Sequence, residues 1–148
     1  MNREEVFETL KIDEGVKYEI YADHLGYHTF GVGHLVINED PEWGNEFGTV
    51  ISKERVWECF EKDLDTSISE CHALYGEGVF DHFPEDVQQV LVNMMFNMGR
   101  TRLSKFKKFT KALLANDWAE AAVEGRDSRW HKQVTNRAER LMVRLEAL

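Results

Sequence analysis

Apolar positions along the chain change period twice, and the changes mark its elements. Near the start Val6, Phe7 and Leu10 fall at i, i+1 and i+4, one face of a helix, so Arg3 to Lys11 is predicted helical. The helical pattern stops at Glu14, and Gly15 can end it with a positive φ. From Lys17 to Tyr21 the period drops to two, with Tyr18 and Ile20 aligned as on a strand. Ala22 to Gly26 reads as a turn. Tyr27 to Leu35 reads as a second strand, with His28, Phe30, Val32 and His34 on one face and Tyr27 and Thr29 on the other. Gly31 and Gly33 continue the Thr29 face, where missing side chains permit close approach of backbone or ligand.

Val36 to Val50 carries Asp40-Pro41, Gly44 and Gly48 and reads as a loop. The helical period then returns. Ser52 is the expected N-cap of a long helix to about Leu74, with Val56, Phe60, Leu64 and Ile68 as a four-residue apolar ladder. Pro84 suits the first turn of the next helix. Val87 to Met98 is apolar nearly all round, the mark of a buried central helix, and Gly99 ends it. Lys105 to Leu114, Asp117 to Val123 and Asn136 to Leu145 complete the helices, with Asp117 and Glu120 spaced as a capping box. The pattern predicts an α+β, mainly helical fold without repeats or low-complexity tracts.

A length of 148 residues suits one domain, or two small lobes sharing one core. No apolar stretch approaches membrane-spanning length. The charged start, Met1-Asn2-Arg3-Glu4-Glu5, lacks the apolar region of a signal peptide, so a soluble chain made in the cytoplasm is expected. Cys59 and Cys71 are expected on one helix, about 18 Å apart, beyond disulfide reach and therefore free thiols. Neither a metal nor an organic cofactor is implied. Charge divides unevenly. Residues 1–99 hold 6 Lys and Arg against 21 Asp and Glu, and residues 100–148 hold 12 against 6. The second part is the expected anion-facing surface. Its basic residues are scattered rather than clustered with stacking aromatics, so nucleic acid is not the expected partner.

Chemistry concentrates between Glu14 and Thr29. Cleaving a glycosidic bond takes two carboxyl groups on opposite sides of a sugar ring, one a protonated acid and the other an ionised base. Glu14 at a helix end and Asp23 in a turn before a strand occupy the two different environments that such a pair needs. Glu14 is the candidate acid, with partial burial expected for it. Asp23 is the candidate base, and it also fits an Asx-turn before Gly26. The Thr29 hydroxyl could hold water beside Asp23, or Thr29 could simply be a β-branched strand residue.

In sequence order Glu14-Gly15, Asp23, Gly26-Tyr27-His28-Thr29 and Gly31-Val32-Gly33-His34 are followed by Asn93-Met94-Met95-Phe96-Asn97-Met98-Gly99, Ser128-Arg129-Trp130 and Asn136-Arg137-Ala138. This succession resembles the phage-type lysozymes, the endolysins of the T-even phages and their relatives, over nearly the whole chain. The resemblance implies a two-lobed lysozyme-like fold: a small hairpin lobe (about 13–51), a connecting helix (about 52–74), and a helical lobe (about 74–148) joined by the N-terminal helix, with a cleft between the lobes. The implied activity is hydrolysis of the β-1,4 bond between N-acetylmuramic acid and N-acetylglucosamine. Glu14 would donate the proton while Asp23 and Thr29 position water, with inversion and carboxyl groups roughly 6.5–9.5 Å apart. The loop at 36–50 is shorter than the family's usual insertion.

The resemblance also implies supporting roles. His34 would pair with Asp63 and pin the hairpin to the long helix. Leu35 and Phe96 would line the cleft, or else pack in the core. Asn97 could bridge the lobes through its amide. Arg137 would reach toward the acidic cleft edge, or else be a solvated first-turn residue. Trp130 fits core better than sugar platform. The expected partners are the peptidoglycan glycan strand and, functionally, a holin-type membrane protein that lets a monomeric enzyme reach the periplasm. The alternatives are a lytic transglycosylase, which has no water-positioning Asp, and a non-catalytic wall-binding module on the same fold.

Overall fold

Eight helices and one small antiparallel sheet make up the computed structural model, which describes all 148 residues, Met1 to Leu148. The elements run α1 (Arg3–Glu14), β1 (Lys17–Ala22), β2 (His28–Gly31), β3 (His34–Leu35), α2 (Lys53–Tyr75), α3 (Glu77–His82), α4 (Glu85–Leu103), α5 (Lys107–Leu114), α6 (Trp118–Arg126), α7 (Arg129–Gln133) and α8 (Thr135–Glu146). The fold is α+β and mainly helical, as the apolar periods indicate. Asn2–Thr66 forms one compact unit, and Ser67–Leu148 with Met1 forms another.

In the first unit, Asn2 caps α1 by accepting the Glu5 amide at 3.1 Å. Gly15, at φ 77°, closes the helix by donating its N–H to the Lys11 carbonyl at 2.9 Å. The sheet order is β1-β2-β3, antiparallel throughout. Here the expectation of a single strand from Tyr27 to Leu35 is corrected. Gly31 and Gly33 take φ of 63° and 64°, and the chain doubles back at Val32. Thr29 therefore faces Leu35, and Phe30 faces His34, across a hairpin. At Gly31 a Cβ would lie 3.2 Å from Val56 Cγ1, so close packing on α2 also favours the bare backbone.

Ile20, Phe30, Val36, Ile51, Val56 and Cys59 form this unit's core, and Phe7, Val16 and Tyr18 pack against it. Phe7 meets Trp57 edge-on at 5.1 Å and Phe60 at 4.8 Å. Helix α1 thus falls in the first unit, whereas the family pattern groups it with the helical lobe. The end of the 36–50 loop lies along β1: the Ile20 amide donates to Thr49 O at 2.9 Å and the Ile51 amide to Tyr18 O at 2.9 Å. Ser52 Oγ accepts the Arg55 amide at 3.1 Å, the expected cap of α2. Val56, Phe60 and Leu64 of the apolar ladder are buried, and Ile68 is half-buried.

The second unit is built on α4, whose Val87, Val90, Leu91, Val92, Met94, Met95 and Met98 are all buried. Gly99, at φ 79°, breaks the helical path before Arg100–Leu103. Asp117 caps α6 by accepting the Glu120 amide at 3.1 Å. Gly125 lets α6 approach α8, since a Cβ there would sit 2.3 Å from Met142 Sδ. Helices α3 and α7 have six and five residues, too short to show a period. Cys59 and Cys71 are buried free thiols, and burial pushes the Cys71 thiol up to about 12.

Candidate active site

Strand β1 ends at Ala22, and the next four residues make a tight turn. The Gly26 amide donates to Asp23 O at 2.9 Å, with Gly26 at φ 88°. The Asp23 amide donates to Tyr27 O at 2.9 Å. The Asp23 side chain completes the turn: its Oδ1 accepts the amides of Leu25 and Tyr27, both at 2.9 Å. The Tyr27 amide, followed by those of Leu25 and Gly26 and the charge of His24, holds the Asp23 carboxyl below the usual carboxylate range against a smaller desolvation effect. Asp23 is therefore both the Asx-turn residue and an ionised carboxylate of fixed orientation.

The Tyr27 peptide also orients Thr29. Its carbonyl accepts the Thr29 hydroxyl at 3.0 Å as well as the Asp23 amide. Thr29 is buried. Because its hydroxyl proton is committed to Tyr27, the oxygen can act toward a water only as an acceptor. One residue thus aligns a carboxylate through its N–H and a hydroxyl through its C=O.

Glu14 ends α1, and Gly15 turns the chain directly into β1. The Glu14 side chain is exposed, which corrects the expectation of partial burial. Tyr21, which no sequence motif marks, lies in the field of both carboxyls. Burial pushes its phenol up, and the negative charges of Asp23 and Glu14 push it further. Tyr21 lies opposite Thr29 in the sheet, and Lys17 Nζ stands 4.6 Å from its ring centre. The signal for Tyr21 is the hairpin register, which has no trace in apolar periodicity.

His34 and Asp63 meet, as the resemblance implies, with Nδ1 to Asp63 Oδ2 at 2.8 Å. A second carboxylate joins them. His34 Nε2 lies 2.9 Å from Asp40 Oδ2, which also accepts the Ile37 amide at 3.0 Å. With a carboxylate at each ring nitrogen, His34 is doubly protonated. Burial alone would lower its pKa, but Asp63, Cys59 and Asp40 together outweigh burial and raise it to about 11. Burial likewise opposes charge on Asp40, yet the Ile37 amide, His34 and Arg55 keep its carboxyl below the usual range. Arg55 extends the network. Its Nε and Nη2 each donate to Glu42 at 2.9 Å, and Nη2 donates to Asp40 at 3.3 Å. Asp40, Glu42 and Arg55 escape a motif search because only folding brings the loop to α2.

Leu35 is not core; it is exposed on β3 of the hairpin. The remaining predicted residues lie in the second unit. Phe96 and Asn97 are half-buried on α4. Asn97 Oδ1 accepts Trp130 Nε1 at 2.7 Å within that unit. Trp130 is buried, in agreement with a core role. Arg137 is also buried, not solvated; its Nε donates to Asn93 Oδ1 at 2.9 Å and its Nη2 to Asn93 O at 3.3 Å. No group of three or more His, Cys, Asp and Glu could hold a metal ion. No helix is long and apolar enough to cross a membrane.

Comparison with known proteins gives a consistent result. The family model described as phage lysozyme matches residues 11–147. A probable T4-type lysozyme 2 of Dictyostelium discoideum is 34% identical over 150 residues, which covers 90% of this chain and 88% of that protein. A probable T4-type lysozyme 1 of the same organism is 30% identical over 154 residues, covering 93% of this chain and 91% of that protein. The pre-baseplate central spike protein Gp5 of Enterobacteria phage T4 is 32% identical over 151 residues, 90% of this chain but 26% of that protein.

Proposed function

The chain belongs to the phage lysozyme family, and on that premise we propose that it hydrolyses the β-1,4 bond between N-acetylmuramic acid and N-acetylglucosamine in bacterial peptidoglycan. The observation that carries the reading is the double role of Tyr27, which holds an ionised Asp23 and leaves the Thr29 hydroxyl free only to accept. A water between them donates one hydrogen to Asp23 and the other to Thr29. Both of its lone pairs are then free, and one can point at the sugar. Glu14 donates its proton to the glycosidic oxygen as the C1–O bond breaks. The water attacks C1 from the opposite face, and Asp23 takes its proton, so the anomeric configuration inverts. Solvent restores both carboxyl groups.

A lytic transglycosylase needs no water in this step, and a wall-binding module needs no ionised, oriented carboxylate beside an accepting hydroxyl. Release of reducing ends from purified peptidoglycan tests the reading. Wild type is expected to release them, while Glu14→Gln and Asp23→Ala each lose about 10²–10⁴-fold in rate with folding intact. Equal clearing by Glu14→Gln would overturn the assignment, and an anhydro-muramyl product would identify a transglycosylase.

The biological role within this reading is that of an endolysin. The protein is made in the host cytoplasm as a monomer and acts on the wall once a holin-type membrane protein has opened the inner membrane. Kinship with phage lysozymes supports that setting. Expression in a bacterial host should drop culture turbidity only when a membrane-permeabilising protein is co-expressed. An intact culture in both cases, from a protein that digests isolated wall, would remove the endolysin role and leave the chemistry standing.

A further inference from the structure

Outside the reacting groups, the first unit exposes a cluster of large apolar side chains. Trp43 is 60% exposed, Tyr27 58%, Phe47 52% and Leu35 48%. Tyr27, Leu35 and Trp43, with His28, Val36 and Gly44, line a groove of about 420 Å³. That volume lies within the range of small-ligand sites, about 300–1,000 Å³. Phe47 stacks on His28 at 4.0 Å with 16° between the rings, which holds His28 as part of the wall.

The exposed indole stands on a fastened loop. The Trp43 amide donates to Asp40 O at 3.0 Å. Asp40 is held by His34, Ile37 and Arg55, and the neighbouring Glu42 by two bonds from Arg55. Both carboxylates are buried while the ring between the network and Gly44 remains in water. Leaving a Trp exposed forgoes its burial, and fastening its backbone on two ion-paired carboxylates lowers the entropy lost when it meets a ligand.

The groove shares Tyr27 with the candidate active site. Tyr27 lines it and also holds Asp23 and Thr29 through its backbone, and Leu35 is Thr29's partner across the hairpin. No Asp, Glu, Lys or Arg lines it. A neutral ligand with flat apolar faces and hydroxyl edges fits those walls, which is the character of an N-acetylhexosamine ring.

We propose that Trp43, with Tyr27 and Leu35, forms a glycan-stacking subsite that seats an N-acetylhexosamine of the strand beside Asp23 and Thr29. The proposal rests on the muramidase reading for the identity of the strand. The 36–50 loop supplies the indole directly from its ion-paired turn.

The test measures binding of tetra-N-acetylchitotetraose by calorimetry in a Glu14→Gln background, where the ligand is not cut. Trp43→Ala is expected to weaken binding about tenfold, the scale of one stacked ring, while Trp43→Phe keeps most of it. Thermal midpoints should be unchanged, because the indole is exposed. In the cutting-competent protein, Trp43→Ala should raise KM for peptide-stripped glycan strands and leave kcat nearly the same. As a second readout, the oligosaccharide should change indole fluorescence in the parent and lose that change in Trp43→Phe. Binding by Trp43→Ala within twofold of its parent would overturn the subsite, as would a parent that binds no oligosaccharide. The muramidase reading fails separately, if wild type releases no reducing ends, and the calorimetry still judges the groove in that event.

Discussion

Replacing His34 with Asn tests the network beneath the loop. Asn can reach one of the two carboxylates, but it cannot span from Asp63 at 2.8 Å to Asp40 at 2.9 Å. The rise of the His34 pKa from 6.5 to about 11 would be worth about 6 kcal/mol at roughly 1.4 kcal/mol per unit. His34 is 13% exposed but the Asp63 side chain is 35% exposed, so solvent screening removes about half of that. After substitution Asp40 keeps Ile37 and Arg55, so no buried carboxylate is orphaned. The expected loss is about 3 kcal/mol, or about 6–12 °C in Tm for a chain of this size.

The sign with pH is definite. His34 is raised, so its contribution is complete below its unfolded value of 6.5 and is lost as pH climbs toward its folded value. Asp40 is lowered, so its contribution is present above 3.8 and is lost as pH falls through its folded value. The gap between wild type and His34→Asn should therefore be widest between about pH 4 and 6.5. Above pH 6.5 it should narrow by up to roughly 1 kcal/mol per pH unit. Urea unfolding of both proteins from pH 3 to 10, followed by circular dichroism, gives the difference, and the other five histidines cancel in it. Parallel stability curves from pH 5 to 9 would refute the reasoning.

Thr29→Val removes the accepting hydroxyl and should lower kcat about hundredfold, whereas Thr29→Ser keeps most activity; full activity in the Val variant would show that the hydroxyl holds no water. Lys105, Lys107 and Lys108 border a groove of about 350 Å³ with Phe106. Reversing all three charges should weaken wall binding about tenfold at low salt and flatten its salt dependence, read in a pelleting assay, with thermal stability unchanged. Gly125→Ala brings a Cβ against Met142 Sδ. It should destabilise by about 1 kcal/mol after the gain in helix propensity is subtracted; a raised Tm would mean that Met142 moves aside without cost.

The sequence alone determined the elements whose information is local. The four-residue spacing of Val56, Phe60 and Leu64, and the apolar run around Val90 and Met94, need only helix geometry to be read. The caps at Ser52 and Asp117 and the positive-φ closure at Gly15 depend on neighbours within four residues. The order of Glu14, Asp23 and Thr29 was legible for the same reason, since one turn and one strand separate them.

Tertiary structure decided what depends on residues far apart in the chain. The run from Tyr27 to Leu35 has a strand's alternation, but two glycines at positive φ fold it on itself, and packing of Gly31 against Val56 helps select that path. The second carboxylate on His34, the Arg55 clamp and the exposure of Trp43 all arise where the loop meets α2. Asn97 bonds Trp130 and Arg137 bonds Asn93, residues 33 and 44 positions away, which no local pattern records. Periodicity records which face of an element is apolar; it does not record which other element covers that face, and the charge network and the groove are both set by that choice.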